Sequence, residues 1–230
     1  MSQNTSSAVM QQRREPRDSL DFFPTPPWAT RALVEHVIIG HGWRADRLAQ
    51  MSVWEPACGI GSMAEPLREY FATVRTSDVF DYSDRYARQE RVADFLWPDS
   101  ESAVIKAKRV DWIITNPPFR VADQFVRRAV GIARVGVAML VRTAFLESVD
   151  RWRELFDPIA TRPYIVAQFA ERVPMHKGRL DPKGSTATAY CWIVWRTDGQ
   201  RLQIGPSMLW IPPCRKRLEK PHDYAAELLP

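Results

Sequence analysis

The chain has 230 residues, of which 45% are hydrophobic and 26% charged, with a formal net charge of +5; this suits one globular domain with a full-sized core and fits a polyanionic partner such as nucleic acid. No apolar run approaches the ~20 residues of a membrane span, and Met1–Gln12 lacks the apolar centre of a secretion signal, so a cytoplasmic protein is expected. The three cysteines, Cys58, Cys191 and Cys214, are scattered and the four histidines keep no ligand spacing, which argues against a metal site.

Residues 1–19 are rich in Ser, Gln and Arg, with Arg13, Arg14 and Arg17 close together. They read as a flexible basic arm, either a solvated tail or a loose contact to phosphates. In Phe22-Phe23-Pro24-Thr25-Pro26-Pro27, Thr25 is placed to cap a helix whose first turn tolerates proline. Ala29, Ala32, Leu33, His36 and Val37 then fall on one helical face.

Ser52–Glu55 predicts a strand that runs through Pro56, Ala57 and Cys58 into a turn at Gly59 and Gly61. A helix should follow from Ser62 to Phe71, with Ser62 and Glu65 at capping-box spacing and Pro66 disturbing its start. Gly59-Ile60-Gly61-Ser62-Met63-Ala64 fits the nicotinamide fingerprint, and Asp78, beside Val79 at the end of the next strand, stands where a ribose-binding acid belongs. A dehydrogenase would use both. Asp81 to Arg91 reads as a charged surface loop, and Val92–Leu96 is a brief apolar segment carrying Asp94 and Phe95.

Asp111-Trp112-Ile113-Ile114-Thr115 is an apolar strand that stops at Asn116-Pro117-Pro118-Phe119. Proline fixes its own backbone and pushes the preceding residue out of the helical region, so Asn116 and Pro117 should form a stiff, extended turn at the strand's carboxyl edge. The carboxamide and carbonyl oxygens there can accept two hydrogen bonds from an exocyclic amine, and Phe119 can stack on a flat ring. Ala122 to Ala133 has helical spacing, Val135–Val141 predicts a buried strand, Ser148–Phe156 a helix and Tyr164–Phe169 a strand.

The basic stretch Arg172–Ser185 should project as a loop, with Lys177, Arg179, Lys183 and Ser185 as candidate substrate contacts. Thr186–Trp195 follows too closely for a crossover helix, so the last two strands should pair antiparallel. Strands alternating with helices predict a mostly parallel sheet covered on both faces. Residues 201–230 are Pro-rich with a basic cluster at Arg215-Lys216-Arg217 and receive no assignment.

Asn116-Pro117-Pro118-Phe119 after an apolar strand resembles the catalytic motif of S-adenosylmethionine-dependent amino methyltransferases, chiefly those acting on N6 of adenine. Glu55-Pro56-Ala57-Cys58-Gly59 is similar to that family's cofactor loop, and Phe23-Pro24-Thr25-Pro26 to the segment that lies over the cofactor's methionine part. Phe145-Leu146-Glu147, Arg151, Arg172 and the Tyr190-x-Trp192-x-Val194-Trp195 strand resemble the small adenine methyltransferases of phages and mobile elements. The resemblance runs from about Asp21 to Trp195.

It implies a Rossmann-like class I methyltransferase fold in residues 20–200, with a seven-stranded, mostly parallel sheet and a late antiparallel strand. The implied cofactor contacts are Phe23, Pro24, Thr25, Glu55, Pro56, Ala57, Cys58, Gly59, Gly61, Asp78, Val79, Asp94, Phe95 and Asn116, with Asp94 and Phe95 at the adenine. The amine would be held by Asn116 and Pro117 on a base stacked on Phe119. The implied substrate is DNA ahead of RNA, with a short or relaxed target because no stretch is long enough for a recognition domain. Glutamine methylation of a protein and a non-catalytic nucleic-acid-binding relative are the other readings; the former usually carries Tyr in place of Phe119.

Overall fold

The computed structural model describes residues 21–97, 110–199 and 205–224. The basic arm with Arg13, Arg14 and Arg17 therefore lies outside the described residues. Eight strands form one sheet: β1 Ser52–Glu55, β2 Thr73–Asp78, β3 Arg91–Val92, β4 Trp112–Thr115, β5 Gly136–Arg142, β6 Ile165–Phe169, β7 Tyr190–Arg196 and β8 Ser207–Ile211. Their order is β3-β2-β1-β4-β5-β7-β6-β8. The pairs from β3 to β5 are parallel, β7 runs antiparallel to both β5 and β6, and β8 lies parallel to β6.

The burial of these strands explains why they read as nearly continuous apolar runs. Every residue of β4, and all but the last of β5 and β7, is buried, as expected for strands covered on both faces. One face carries Val53, Trp112, Ile114, Leu140, Trp192 and Val194 against helix α1 (Pro27–Ala32), its wider-wound continuation Leu33–Ile38, and α3 (Ala64–Leu67). The other carries Trp54, Ile113, Val137, Met139, Ile193 and Trp195 against α4 (Ala122–Ile132) and Leu155. Among the described residues the other α-helices are short: α2 (Ala45–Leu48), α5 (Val149–Arg151, running on through Trp152–Phe156) and α6 (Arg215–Leu218).

The α/β architecture and the late reversed strand agree with the sequence; several details do not. Thr25 does not cap α1, whose N-cap is Pro26 with no side-chain bond; the Thr25 hydroxyl turns instead to the Met175 sulfur at 3.9 Å. The predicted helix Ser62–Phe71 shrinks to α3. Its capping box is absent because Glu65 is taken by the Tyr86 hydroxyl (2.9 Å) and Arg88 (2.7 Å).

The eighth strand comes from the stretch that the sequence leaves unassigned. That stretch is tied down further on: the buried Arg31 of α1 binds Asp223 at 2.7 Å and Glu69 at 2.8 Å, and donates to the Leu218 carbonyl at 2.8 Å. The Asp81–Arg91 segment is also less solvated than its charge suggests, because Tyr82 and Tyr86 are each only 6% exposed.

Candidate active site

Parallel pairing brings the carboxyl ends of β1, β2 and β4 side by side, and a cavity of about 270 Å³ opens there. This is the crevice where open α/β sheets bind ligands, near the small end of the ~300–1,000 Å³ range of small-molecule sites. Most of its lining is apolar, with the acids Asp21, Glu55, Asp78 and Asp94 set into it.

Glu55 ends β1 and is 2% exposed. Its Oε2 has no hydrogen-bond partner among the described residues. Burial, reinforced by the nearby Asp78 charge, holds its pKa well above the usual carboxylate range. An acid left in this state at the floor of a cavity is suited to a cationic group of a ligand.

Asp78 ends β2 and reaches back across the loop, accepting the Gly59 N–H at 2.9 Å. Burial raises its pKa as well. Gly59 and Gly61 have φ of +48° and +78°, which side-chain-bearing residues rarely adopt. The room at these glycines is taken by rings: a Cβ on Gly59 would meet the Phe22 ring at 2.6 Å, and one on Gly61 would strike Tyr86.

The opposite wall is a strap, Asp21–Thr25, tied by three hydrogen bonds to two elements, the diproline bend after β4 and the Arg172–Ser185 loop. The Asp21 carboxylate accepts the Phe119 N–H at 2.7 Å, the Phe23 carbonyl accepts from Asn116 Nδ2 at 2.8 Å, and the Phe22 carbonyl accepts the Gly178 N–H at 2.9 Å. Asn116 follows the last residue of β4. With Nδ2 occupied by Phe23, its Oδ1 faces inward, buried and without a partner among the described residues. The ring of Phe119 lies 5.2 Å from that of Phe23 and 6.5 Å from that of Tyr190, and the Arg142 guanidinium sits 3.9 Å above it.

Of the sequence-predicted residues, Phe23, Pro24, Thr25, Glu55, Pro56, Ala57, Cys58, Gly59, Asp78, Val79, Asp94, Phe95, Asn116 and Pro118 line the cavity. Gly61, Pro117 and Phe119 do not; Gly61 packs against the Tyr86 ring, and Phe119 belongs to the adjoining aromatic cluster. Phe95 is only 2% exposed, packed between Trp54 and Phe125.

The Arg172–Ser185 loop does not project as expected. Val173, Pro174, Met175 and Leu180 are buried, and Gly178 is bonded to Phe22, so the loop folds back onto the strap. Lys177, Arg179, Lys183 and Ser185 lie outside the cavity lining, with Arg179 exposed and 3.6 Å from Asp181. Sequence reasoning missed Asp21, Phe22, Ser62, Tyr82, Leu96, Val121 and Phe125 in the lining. Phe22 was within reach as the neighbour of Phe23. Tyr82 was hidden in a charged run, and burial beside Asp78 pushes its phenol up to about 12. Asp21 acts on a residue 98 positions away, which no local signal announces.

Among the described residues no helix is long and apolar enough to cross a membrane, and no group of three or more His, Cys, Asp or Glu side chains is placed to hold a metal ion. No protein-family model and no curated protein sequence matches the chain. Solved structures do. A proposed class I S-adenosylmethionine-dependent methyltransferase from Listeria monocytogenes superposes with a TM-score of 0.55 at 12% identity, over 88% of this chain and 70% of its own. A proposed RNA methyltransferase from Pyrococcus horikoshii gives 0.53 at 14% identity, over 82% of this chain and 96% of its own. The modification subunit of a proposed type I restriction enzyme from Vibrio vulnificus gives 0.52 at 15% identity over 94% of this chain, which spans only 54% of that subunit. With the reversed β7 between β5 and β6, and helices on both faces of the sheet, the chain has the Rossmann-like fold of class I methyltransferases.

Proposed function

We propose that this protein is an S-adenosylmethionine-dependent methyltransferase that modifies the N6 amine of adenine in nucleic acid, with DNA as the first-choice polymer. The observation that carries this reading is the Asn116 carboxamide: its nitrogen is spent on the Phe23 carbonyl, so its buried oxygen is left as a fixed acceptor at a diproline bend. The dehydrogenase alternative has no use for such an acceptor.

The residues present fit the cofactor. Glu55 would meet its ammonium group, Asp78 its ribose hydroxyls and Asp94 its adenine, within the cavity that all three line. When bound, it supplies an electrophilic sulfonium methyl. The protein's own task is to present the nucleophile. An aromatic amine has its lone pair delocalised into the ring. Hydrogen bonds from the amine to Asn116 Oδ1 and the Pro117 carbonyl favour a pyramidal nitrogen and direct that lone pair. The proton becomes acidic once the nitrogen is methylated, so no base tuned in advance is required. Positioning of this kind can supply up to ~7–11 kcal/mol. An adenine in a duplex must first swing out, at a cost of a few kcal/mol, and stacking on Phe119, worth ~1–3 kcal/mol, offsets part of it.

RNA is the second reading. It is favoured by size, since this chain covers 96% of the Pyrococcus RNA methyltransferase but 54% of the restriction subunit. Incubation with methyl-labelled S-adenosylmethionine and separate DNA, RNA and protein substrates tests the proposal. Label should appear in DNA, or on the second reading in RNA, as N6-methyladenine after digestion. Label confined to protein glutamine, or to another base, would overturn it.

A further inference from the structure

Arg142 closes β5 at the same sheet edge and takes no part in the amine clamp. Its guanidinium carbon lies 3.9 Å from the centre of the Phe119 ring and 5.8 Å from that of Phe23. Its Nε is buried without a hydrogen-bond partner, and no carboxylate pairs with it among the described residues. Its guanidinium bonds the Tyr190 phenol, a neutral partner, and a half-buried cation without an ion-pair partner is costly as a purely structural device.

Its position is also an obstruction. A separation of 3.9 Å leaves no room for another planar group between guanidinium and ring. A base that stacks on that face of Phe119 must displace something. Phe23 is anchored through its carbonyl to Asn116, and Tyr190, which pairs with Arg142 across the β5–β7 register, is 3% exposed. Arg142 bonds the Tyr190 phenol with its outer nitrogens, but its Nε is left over, and its long, unbranched stem makes it the member of the cluster that can swing aside.

We infer that Arg142 is a substrate-binding residue that covers Phe119 in the free protein, yields this place to the incoming base, and then pairs with the phosphate of the same nucleotide. The inference rests on the adenine-methylation reading above. A flipped nucleotide brings its own phosphate to the rim of the base pocket. The planar guanidinium fork matches phosphate oxygens in pairs, and the anion provides the missing counter-charge.

Wild type, Arg142→Ala and Arg142→Lys are to be compared by calorimetry with deoxyadenosine and its 5′- and 3′-monophosphates, and by KM and kcat on an oligonucleotide. Wild type should bind one monophosphate about tenfold more tightly than the nucleoside. Arg142→Ala should lose that preference, bind the nucleoside at least as well, and raise KM while kcat stays within about twofold. Arg142→Lys should keep part of the preference, and thermal melting separates these effects from misfolding. An unchanged preference in Arg142→Ala, or an equal loss for nucleoside and nucleotide, overturns the role; the second outcome would mean that Arg142 reads the base itself or only supports the fold. If adenine methylation is intact when this happens, only Arg142 is misassigned. If wild type binds neither compound and methylates no nucleic acid, the functional reading falls and takes this inference with it.

Discussion

Two buried polar clusters sit on the same sheet and are solved in opposite ways. Around Arg31, all five guanidinium N–H groups are engaged by Glu69, Asp223 and the Leu218 carbonyl, joining α1 to the C-terminal segment. At the ends of β1 and β4, Glu55 Oε2 and Asn116 Oδ1 are buried with nothing to bind among the described residues. Protein interiors seldom tolerate the second condition. A complete network holds a fold together; an incomplete one, placed in a cavity, is completed by a ligand.

The contrast breaks most visibly at Arg31. Arg31→Ala leaves Asp223 buried without its cation and should cost about 3–5 kcal/mol, lowering the melting temperature by about 6–20 °C. Methyl transfer measured well below that temperature should be preserved. Asn116→Ala should do the reverse, with melting lowered by only a few degrees for the lost bond to the Phe23 carbonyl and transfer reduced by about 10²–10³-fold, the scale seen when one pre-positioned polar group is removed from a reaction centre. Calorimetry should find its cofactor affinity close to that of wild type.

Glu55→Gln divides the two properties within one side chain. Removing a buried carboxylate should raise the melting temperature of the ligand-free protein, while cofactor affinity falls by about 10- to 100-fold because a charge-assisted hydrogen bond is weakened to a neutral one. The pH dependence follows from the same raised pKa. Below the usual glutamate range Glu55 is protonated both folded and unfolded. As pH rises through the elevated folded value, ionising it against burial withdraws stability from the ligand-free protein. Asp78 acts in the same direction. A ligand ammonium favours the ionised form, so cofactor binding should release a proton and strengthen as pH rises across that window. Titrations in buffers of different ionisation enthalpy would reveal this release, and Glu55→Gln should abolish most of it.

The smallest effects belong to the outer loop. Replacing Lys177, Arg179 or Lys183 by Gln should lower the slope of log affinity against log salt by about one for each phosphate that is no longer neutralised, with kcat unchanged. An unaltered slope would remove these residues from the substrate surface.

The legible parts of the molecule were those governed by local rules. Buried parallel strands announce themselves as apolar runs, and the diproline bend at Asn116 is written in four consecutive residues. The cavity-lining residues Glu55, Asp78 and Asn116 were legible because each stands at the end of a readable strand. What stayed hidden depends on distant partners. β8 is short and has only one buried residue, Ile211, while Met208 and Trp210 are exposed, so it lacks the pattern of a core strand. In the Arg172–Ser185 loop the charges mask Val173, Pro174 and Met175, which anchor it against the strap. Glu65 met the spacing of a cap, but Tyr86 and Arg88, brought in by the fold, claimed it first.

The most direct test of the account is a crystal structure with S-adenosylmethionine bound. The ligand's ammonium should lie against Glu55 and its methyl-bearing sulfur should turn toward Asn116 Oδ1 and the Pro117 carbonyl, with both orphaned oxygens thereby placed to be used. A ligand seated away from Glu55, or a sulfur remote from the diproline bend, would contradict it.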